Sequence, residues 1–234
     1  MARDSRQYGR MKRVAALVLL AFWPGIALCA ESGALDLAMS KPKPPVREGN
    51  LPRTRWENRP EAQLWTRASL SALKEHGARL PQTVPHDIAQ WCPAYPGANE
   101  AQRRAFWVGL LSTLAKHEST YRPRAVGGGG KWFGLLQISP GTARSYKCRA
   151  RSGAALKDGV ANLSCAIRIM AVTVPRDGVV SKGMRGVAAD WGPFHSRVKR
   201  NDMIQWMRKQ SYCKPMNAVR PRTRPIEVAS VALD

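Results

Sequence analysis

The sequence predicts a mostly α-helical domain with irregular loops. An apolar run with helical spacing covers residues 99–117, long enough for a central helix. Ser139 precedes Pro140, which is the pattern of a helix cap followed by proline at the first helical position. Asp158 caps a third predicted helix that ends near Val174. Alternating apolar and polar residues never extend far enough to predict a sheet, so helices are expected to form the core.

The remaining segments divide the chain into domains and tails. Residues 61–76 have apolar positions near helical spacing and stop at Gly77, which predicts an amphipathic accessory helix on the outside of the domain. Weaker helices are predicted at 183–190 and 201–211. The expected organisation is a signal peptide (1–30), a disordered linker (31–60), an accessory helix with its connection (61–84), a compact domain (85–213) and a disordered basic tail (214–234).

The N-terminus has the pattern of a secretory signal peptide. Five basic residues precede the uncharged stretch VAALVLLAFWPGIALCA (14–30), which ends on the small residue Ala30. Pro24 interrupts this 17-residue stretch, which is short of the ~20 residues that span a bilayer. Export with cleavage near Ala30 is the favoured interpretation, and a retained anchor is the alternative. Lipidation of Cys29 is the weaker hypothesis because bulky Leu28 precedes it. A periplasmic or envelope location follows.

Export changes the interpretation of the cysteines. Removal of Cys29 leaves four, which allow three pairings in an oxidising compartment. A local bond between Cys148 and Cys165 is favoured, together with a bond between Cys92 and Cys213 that ties the ends of the domain. Free buried thiols are the alternative. No metal-ligand spacing occurs, and no metal or cofactor is expected.

The chain is strongly basic. Its formal net charge of +22 becomes +18 after cleavage, because 33 basic residues remain against 15 acids. Such a surface favours polyanions, and export makes the anionic cell envelope a better partner than nucleic acid. The alternative is a solvated basic surface with no fixed partner.

Glu118 is the candidate catalytic residue. Trp107, Leu111, Leu114 and Glu118 share one helical face, so the glutamate continues an apolar stripe. Desolvation favours the neutral form of such a carboxyl group, which suits a general acid near neutral pH. The alternative is a glutamate at a frayed helix end, paired with one of the many arginines.

The residues after Glu118 suggest a ligand cleft. Gly127–Gly130 favours a flexible turn, and Trp132, Gly134 and Gln137 follow it. Aromatic rings and amides beside a buried acid are typical of a sugar-binding cleft. A surface loop and a core tryptophan are the alternatives.

These motifs together resemble a known family. The order Glu118-Ser119, GLLQI (134–138), SPGTA (139–143) and DGVANL (158–163) is similar to that of the catalytic domain of soluble lytic transglycosylases, in the lysozyme-like superfamily. The resemblance covers roughly residues 90–212 and implies a lysozyme-like helical fold. Leu136 stands where the family usually has methionine, a swap of similar volume.

The resemblance implies a peptidoglycan-cleaving enzyme. Glu118 would be the single acid and base that breaks the bond between N-acetylmuramic acid and N-acetylglucosamine, with a 1,6-anhydro sugar as product. Ser119 and Gln137 match positions that line the cleft, and Asn162 matches an asparagine of the third helix. A monomer acting on glycan strands is expected.

The sequence departs from the family at AADWGPFHS (188–196). Asp190 and Trp191 stand where a tyrosine and an asparagine are usual. Trp191 retains a ring that can stack on a sugar. Asp190 adds a carboxylate, and two carboxylates are what hydrolytic glycosidases use. Lysozyme-type hydrolysis is therefore an alternative, although an ion pair between Asp190 and Arg197 is the preferred interpretation.

Other classes of function have less support. The four histidines are scattered, and His117 points about 100° away from Glu118 on a helix. GGGGKW lacks the hydroxyl residue of a phosphate-binding loop, and no serine-hydrolase motif occurs. A non-catalytic peptidoglycan-binding protein and a cationic membrane-active protein are the remaining alternatives.

Overall fold

The computed structural model describes residues 51–215. Two residue pairs form a small antiparallel sheet, in which Val126 pairs with Phe133 and Gly127 with Trp132. The α-helices and strands of this region are α1 (Ala62–Lys74), α2 (Arg79–Gln82), α3 (Ile88–Trp91), α4 (Glu100–Ser119), β1 (Val126–Gly127), β2 (Trp132–Phe133), α5 (Pro140–Ser145), α6 (Gly159–Asp177) and α7 (Arg197–Arg208).

The predicted mostly α-helical fold class is confirmed. The three capped helices begin where the sequence places them. Asn99 forms a reciprocal capping box with Gln102 at the start of α4. Ser139 accepts from the backbone N–H of Thr142, and Asp158 accepts from that of Ala161. These side chains satisfy donors that a helix start leaves free.

The two weaker helices were predicted less well. Residues 183–190 form short 3₁₀ turns, Lys182–Met184 and Gly186–Ala189, and not an α-helix. The last helix begins at Arg197 because the Ser196 hydroxyl accepts the backbone N–H of Lys199 at 3.4 Å.

Helix α4 is the centre of the core. Every residue from Ala105 to Ala115 is buried, so the helix is covered on all sides and not only on its predicted apolar face. The fully buried residues of that face, Trp107, Leu111 and Leu114, lead directly to Glu118. The central helix therefore carries the candidate acid at its C-terminal end.

The predicted position of α1 outside the domain was wrong. Trp65 and Leu73 are buried, and α1 packs mainly against α6 and α4. The predicted disordered linker was also wrong for residues 51–60: Trp56 is fully buried, its ring lies 5.7 Å from that of Trp65, and its indole N–H donates to Thr66. The compact unit therefore includes residues from 51 onward.

Both favoured disulfides are present in the structure. Cys148 is bonded to Cys165, which joins the segment after α5 to α6. Cys92 is bonded to Cys213, 121 residues later, and this bond joins the end of α3 to the turn after α7. All four sulfur-bearing side chains are buried.

Several predictions lie outside the described residues. These are the signal peptide at 1–30, the rest of the linker to residue 50, and nearly all of the basic tail, from residue 216 on. No helix within residues 51–215 is long and apolar enough to cross a membrane.

Candidate functional site

Glu118 lies in the last turn of α4 with its side chain half-buried. Burial raises the pKa of its carboxyl group from 4.5 to about 7, and the nearby Lys199 ammonium acts in the opposite direction. Within the described residues, no other carboxylate contributes to this shift. The acid is therefore half protonated near neutral pH, as a general acid requires.

The backbone reverses direction immediately after Glu118. Thr120 and Tyr121 both have left-handed conformations, with φ of 53° and 59°. The N–H of Tyr121 donates to Ala115 and that of Thr120 to Lys116, which closes the helix end. A β-branched residue such as Thr120 rarely adopts positive φ, and strained backbone of this kind clusters at functional sites.

A charged cluster around Asp202 of α7 holds this end of α4. The Arg55 guanidinium donates to both oxygens of Asp202, at 2.6 and 2.9 Å, and His117 lies 2.7 Å from the same carboxylate. These contacts, with that from Arg55 foremost, lower the pKa of Asp202. Burial lowers the pKa of His117. His117 therefore pairs with Asp202, while Glu118 lies on another face of the helix.

The hairpin after Glu118 is joined to the GLLQI segment. The carbonyl of Ala125, seven residues after Glu118, accepts from the backbone N–H of Gly134 at 2.9 Å and from the Gln137 amide at 3.3 Å. The same amide donates to the Gly134 carbonyl at 2.9 Å. Both protons of the Gln137 amide group are thus used within the protein, and its carbonyl oxygen accepts no hydrogen bond from the described residues.

The Asn162 side chain is buried and hydrogen-bonded to the backbone around the GLLQI segment. It is fully buried; it accepts from the backbone N–H of Leu136 and donates to the carbonyls of Phe133 and Leu156, all at 2.9 Å. Gly134 has φ of +83°, and a Cβ there would collide with the Asn162 amide. The substrate-binding roles predicted for Asn162 and Gly134 are therefore corrected to structural ones.

Asn162→Ala is expected to lower the free energy of unfolding by about 2–4 kcal/mol, because it removes three hydrogen bonds and leaves the Leu136 N–H and the Leu156 carbonyl without a partner. The Phe133 carbonyl keeps its bond from the Ile138 N–H. Denaturant unfolding measures the change. The matched control is Asn201→Ala, at an exposed position of α7, which should change stability by less than about 0.5 kcal/mol. Equal stability of the two variants would contradict this role for Asn162.

Four of the predicted contacts meet around one small cavity of about 50 Å³. Trp132, Gln137, Asp190 and Trp191 line it. Trp132 is 48% exposed and its ring covers Gly128, so one ring face is free. The remaining lining residues, Ile138, Ser139, Thr142 and Ile169, were not predicted as site residues. Glu118 does not line this cavity.

Trp191, which lines this cavity, and Ser119, which does not, are both buried. Trp191 is 4% exposed, and its indole N–H donates to the Leu136 carbonyl at 2.9 Å, so its ring cannot stack on a sugar as predicted. Ser119 is 3% exposed, and its hydroxyl donates to the Ala115 carbonyl. Both side chains are therefore held by hydrogen bonds within the protein.

Asp190 has different neighbours from those expected. Its pKa is raised by burial, and the opposing groups are Arg176 and the Tyr146 hydroxyl. The preferred partner from the sequence, Arg197, is therefore wrong. Arg176 in turn binds Asp177 through two hydrogen bonds. Asp190 belongs to this cluster, on the α5–α6 side of the cavity.

Lys199 is a charged neighbour of Glu118 that the sequence did not reveal. It is exposed on the first turn of α7, 81 residues after Glu118. Lys199 is one of 38 basic residues, and no motif in the sequence around it indicates that it lies near Glu118. Only the packing of α7 against α4 brings this charge to Glu118.

Part of the chain matches a known protein family. Residues 97–178 match the transglycosylase SLT domain family. The resemblance inferred from the sequence motifs is thereby confirmed. The SLT match spans α4, the hairpin, α5 and α6, and it ends before Asp190 and Lys199. No curated protein matches the chain.

Solved structures share the fold. The structure named "Bd0314 DslA wild-type form 2" is 29% identical, with a TM-score of 0.64, over 70% of this chain and 98% of its own. A glutamate-to-glutamine mutant of Bd0314 DslA is likewise 29% identical, with a TM-score of 0.63, over 69% of this chain and 97% of its own. The structural similarity therefore extends beyond residues 97–178.

Proposed function

We propose that this protein is an exported peptidoglycan lytic transglycosylase with Glu118 as its single acid and base. The SLT match supports glycan cleavage of this kind. One observation carries the assignment of the acid: a half-buried carboxyl group with a pKa of about 7 lies at the end of the central helix.

The proposed reaction needs one carboxyl group. Protonated Glu118 donates its proton to the glycosidic oxygen as the bond between that oxygen and C1 of N-acetylmuramic acid breaks. The 6-hydroxyl of the same sugar then bonds to C1, and its proton passes to the Glu118 carboxylate. The acid is regenerated, and no water is consumed. A pKa near 7 suits both proton transfers, because neither form is strongly favoured at neutral pH.

The surroundings of Asp190 favour this route over hydrolysis. A hydrolytic glycosidase pairs its acid with a second carboxylate that acts as base or nucleophile. Asp190 does not contribute to the pKa of Glu118; its own pKa responds to Arg176, Tyr146 and Asp177. These neighbours of Asp190 support a reaction that uses Glu118 alone.

The residues around the small cavity at Trp132 and Gln137 offer suitable contacts for a sugar. The free face of Trp132 presents a flat apolar surface, and the unpartnered carbonyl oxygen of Gln137 can accept a hydrogen bond from a hydroxyl or acetamido group. Ser139 and Thr142 add hydroxyl groups to the same cavity.

Analysis of the products tests the reaction. Mass spectrometry of muropeptides released from purified sacculi should show 1,6-anhydro ends, one water lighter than reducing ends. Release of reducing ends would replace the proposal with muramidase hydrolysis. Binding to sacculi without release of any product would replace it with a non-catalytic peptidoglycan-binding protein.

Lys199→Gln is expected to move the alkaline limb of the pH–rate profile to higher pH. The Lys199 ammonium lowers the pKa of Glu118, so its removal raises that pKa and keeps the acid protonated to higher pH. Profiles of kcat/KM on isolated glycan strands measure the shift. Lys209→Gln, at an exposed lysine just after α7, is the charge-matched control. Superimposable profiles for wild type and Lys199→Gln would contradict the coupling.

The proposed location follows from the signal peptide predicted at residues 1–30 and from the place where peptidoglycan is found. The high positive charge supports retention at the anionic envelope. N-terminal sequencing of the protein from the envelope fraction should begin near Glu31.

A further inference from the structure

An open pocket separate from the small cavity lies between α1 and α6, with a volume of about 500 Å³. Small side chains leave this space open, with Ala68 and Ala72 on α1 and Ala161 and Ser164 on α6. None of the groups proposed for glycan cleavage lines it, so the pocket has no assigned role.

Two arginines without carboxylate partners line the pocket. Arg149 and Arg168 form no ion pair within residues 51–215, although carboxylates lie in the same pocket. The bond between Cys148 and Cys165 fixes their positions, since Arg149 follows one cysteine and Arg168 lies one helical turn after the other. Two available guanidinium groups in one pocket favour a carboxylate or phosphate ligand.

His76 adds a third polar group. Its Nε2 lies 3.0 Å from the Ser164 carbonyl, which can only accept, so Nε2 carries a proton. The other ring nitrogen, Nδ1, forms no hydrogen bond within the described residues. This nitrogen is available for a hydrogen bond with a ligand.

Two carboxylates in the pocket restrict the ligand further. Glu75 accepts a hydrogen bond from Ser71, and Asp158 uses one oxygen to cap α6. Both retain acceptor capacity for an ammonium group. A polyanion such as a nucleic acid or a phosphate polymer would meet repulsion from them. A ligand with both an amino and a carboxyl group complements both signs of charge.

The pocket continues toward the candidate catalytic end of α4. A neighbouring cavity of about 620 Å³ shares Asp158 and Val160 with it and extends to Pro123 and Arg124. These two residues lie five and six positions after Glu118. A chain bound along both cavities would therefore lead from the α1–α6 pocket toward the loop that follows the acid.

We infer that the α1–α6 pocket binds the peptide substituents of peptidoglycan through their free carboxyl and amino groups. The inference rests on the proposed function, which supplies a substrate with peptides on its glycan strands. Arg149 and Arg168 bind the carboxylate, and Glu75 and Asp158 bind the ammonium group.

Calorimetric titration with the peptides that an amidase releases from sacculi tests the inference. The titrations use the full-length protein with the Glu118→Gln substitution, so that no glycan is cleaved during the measurement. Adding Arg149→Ala and Arg168→Ala should weaken peptide binding by about tenfold or more. Arg67→Ala with Lys209→Ala removes the same charge outside the pocket and should leave the affinity unchanged. If the double pocket variant unfolds, Arg149→Ala alone, at an exposed position, replaces it.

Acetylation of the peptide amino groups tests whether Glu75 and Asp158 bind the ammonium group. Acetylated peptides should bind more weakly than free ones, and Glu75→Gln should reduce that difference. Absence of peptide binding, equal losses in the pocket and control variants, or equal binding of free and acetylated peptides would overturn the inference.

A parallel assay separates this inference from the proposed function. The catalytically intact chain is tested for cleavage of amidase-treated, peptide-free glycan strands. Cleavage without peptide binding overturns the pocket assignment and leaves the enzyme in place. Peptide binding without cleavage of peptide-free or peptide-bearing strands overturns the enzyme and leaves the pocket.

Discussion

Glu118→Gln is expected to abolish glycan cleavage and, at pH 8, to stabilise the folded protein. The amide has nearly the same shape but cannot deliver a proton to the glycosidic oxygen. Loss of a general acid typically lowers the rate by about 10²–10⁴, and the same group also serves as base here, so we expect a loss at the upper end of that range. Release of soluble muropeptides from sacculi measures it.

The gain in stability follows from the direction of the pKa shift. The pKa of Glu118 is about 7 in the folded protein and near its ordinary value of 4.5 in the unfolded chain. The stability associated with its neutral form is fully present below pH 4.5 and is lost as the pH rises through 7. For a half-buried group we expect about 2 kcal/mol of loss at pH 8, which the uncharged amide avoids.

Denaturant unfolding at pH 4 and pH 8 tests this pH dependence. The variant should exceed wild type in unfolding free energy at pH 8, and the two should agree at pH 4. Glu57→Gln, at an exposed glutamate paired with Arg53, is the matched control and should change neither activity nor the pH dependence. A Glu118→Gln variant that is less stable than wild type at both pH values would show that this carboxyl group is a structural partner and not a desolvated acid.

Removal of the Cys92–Cys213 bond is expected to destabilise the protein more than removal of the Cys148–Cys165 bond. The first closes a loop of 121 residues and the second a loop of 17. Chain entropy then predicts losses of about 5 and about 3 kcal/mol for the respective Cys→Ser pairs. Since a domain of this size is stable by only about 5–15 kcal/mol, the first pair of substitutions brings it close to unfolding.

Thermal and denaturant unfolding of the two double variants measures this difference. Both variants keep the other disulfide, so each serves as the control for the other. Equal losses, or a larger loss for the short loop, would show that local packing around the sulfur atoms outweighs chain entropy. Mass mapping of the wild-type protein without reduction should show no free thiol in the domain.

Local chemistry explains why several elements were predictable from sequence. Asn99, Ser139 and Asp158 each satisfy backbone donors only a few residues away, so their helices begin at the expected positions. The final helix was predicted to begin at residue 201, although it begins at Arg197. The hydrogen bond that its Ser196 cap accepts is long, and the many polar residues of the helix make the spacing of its apolar residues hard to recognise.

Burial of the first helix could not be predicted in the same way. An amphipathic pattern shows that one face of α1 is apolar but not what covers that face. Trp56 packs against Trp65 from a proline-rich segment whose composition is typical of disorder. The partner of Asp190 was missed for the same reason, since Arg176 and Tyr146 reach it only through the packing of α5 and α6.

The sequence by itself determined the helical fold class, the preferred cysteine pairs and the glutamate at the end of an apolar stripe. Capping and helical periodicity act over a few residues, so they are visible in the linear order. The tertiary structure alone decided that Asn162, Trp191 and Ser119 are buried, and that Lys199 lies near Glu118. Desolvation and charge coupling depend on groups far apart in the chain, and only packing brings those groups together.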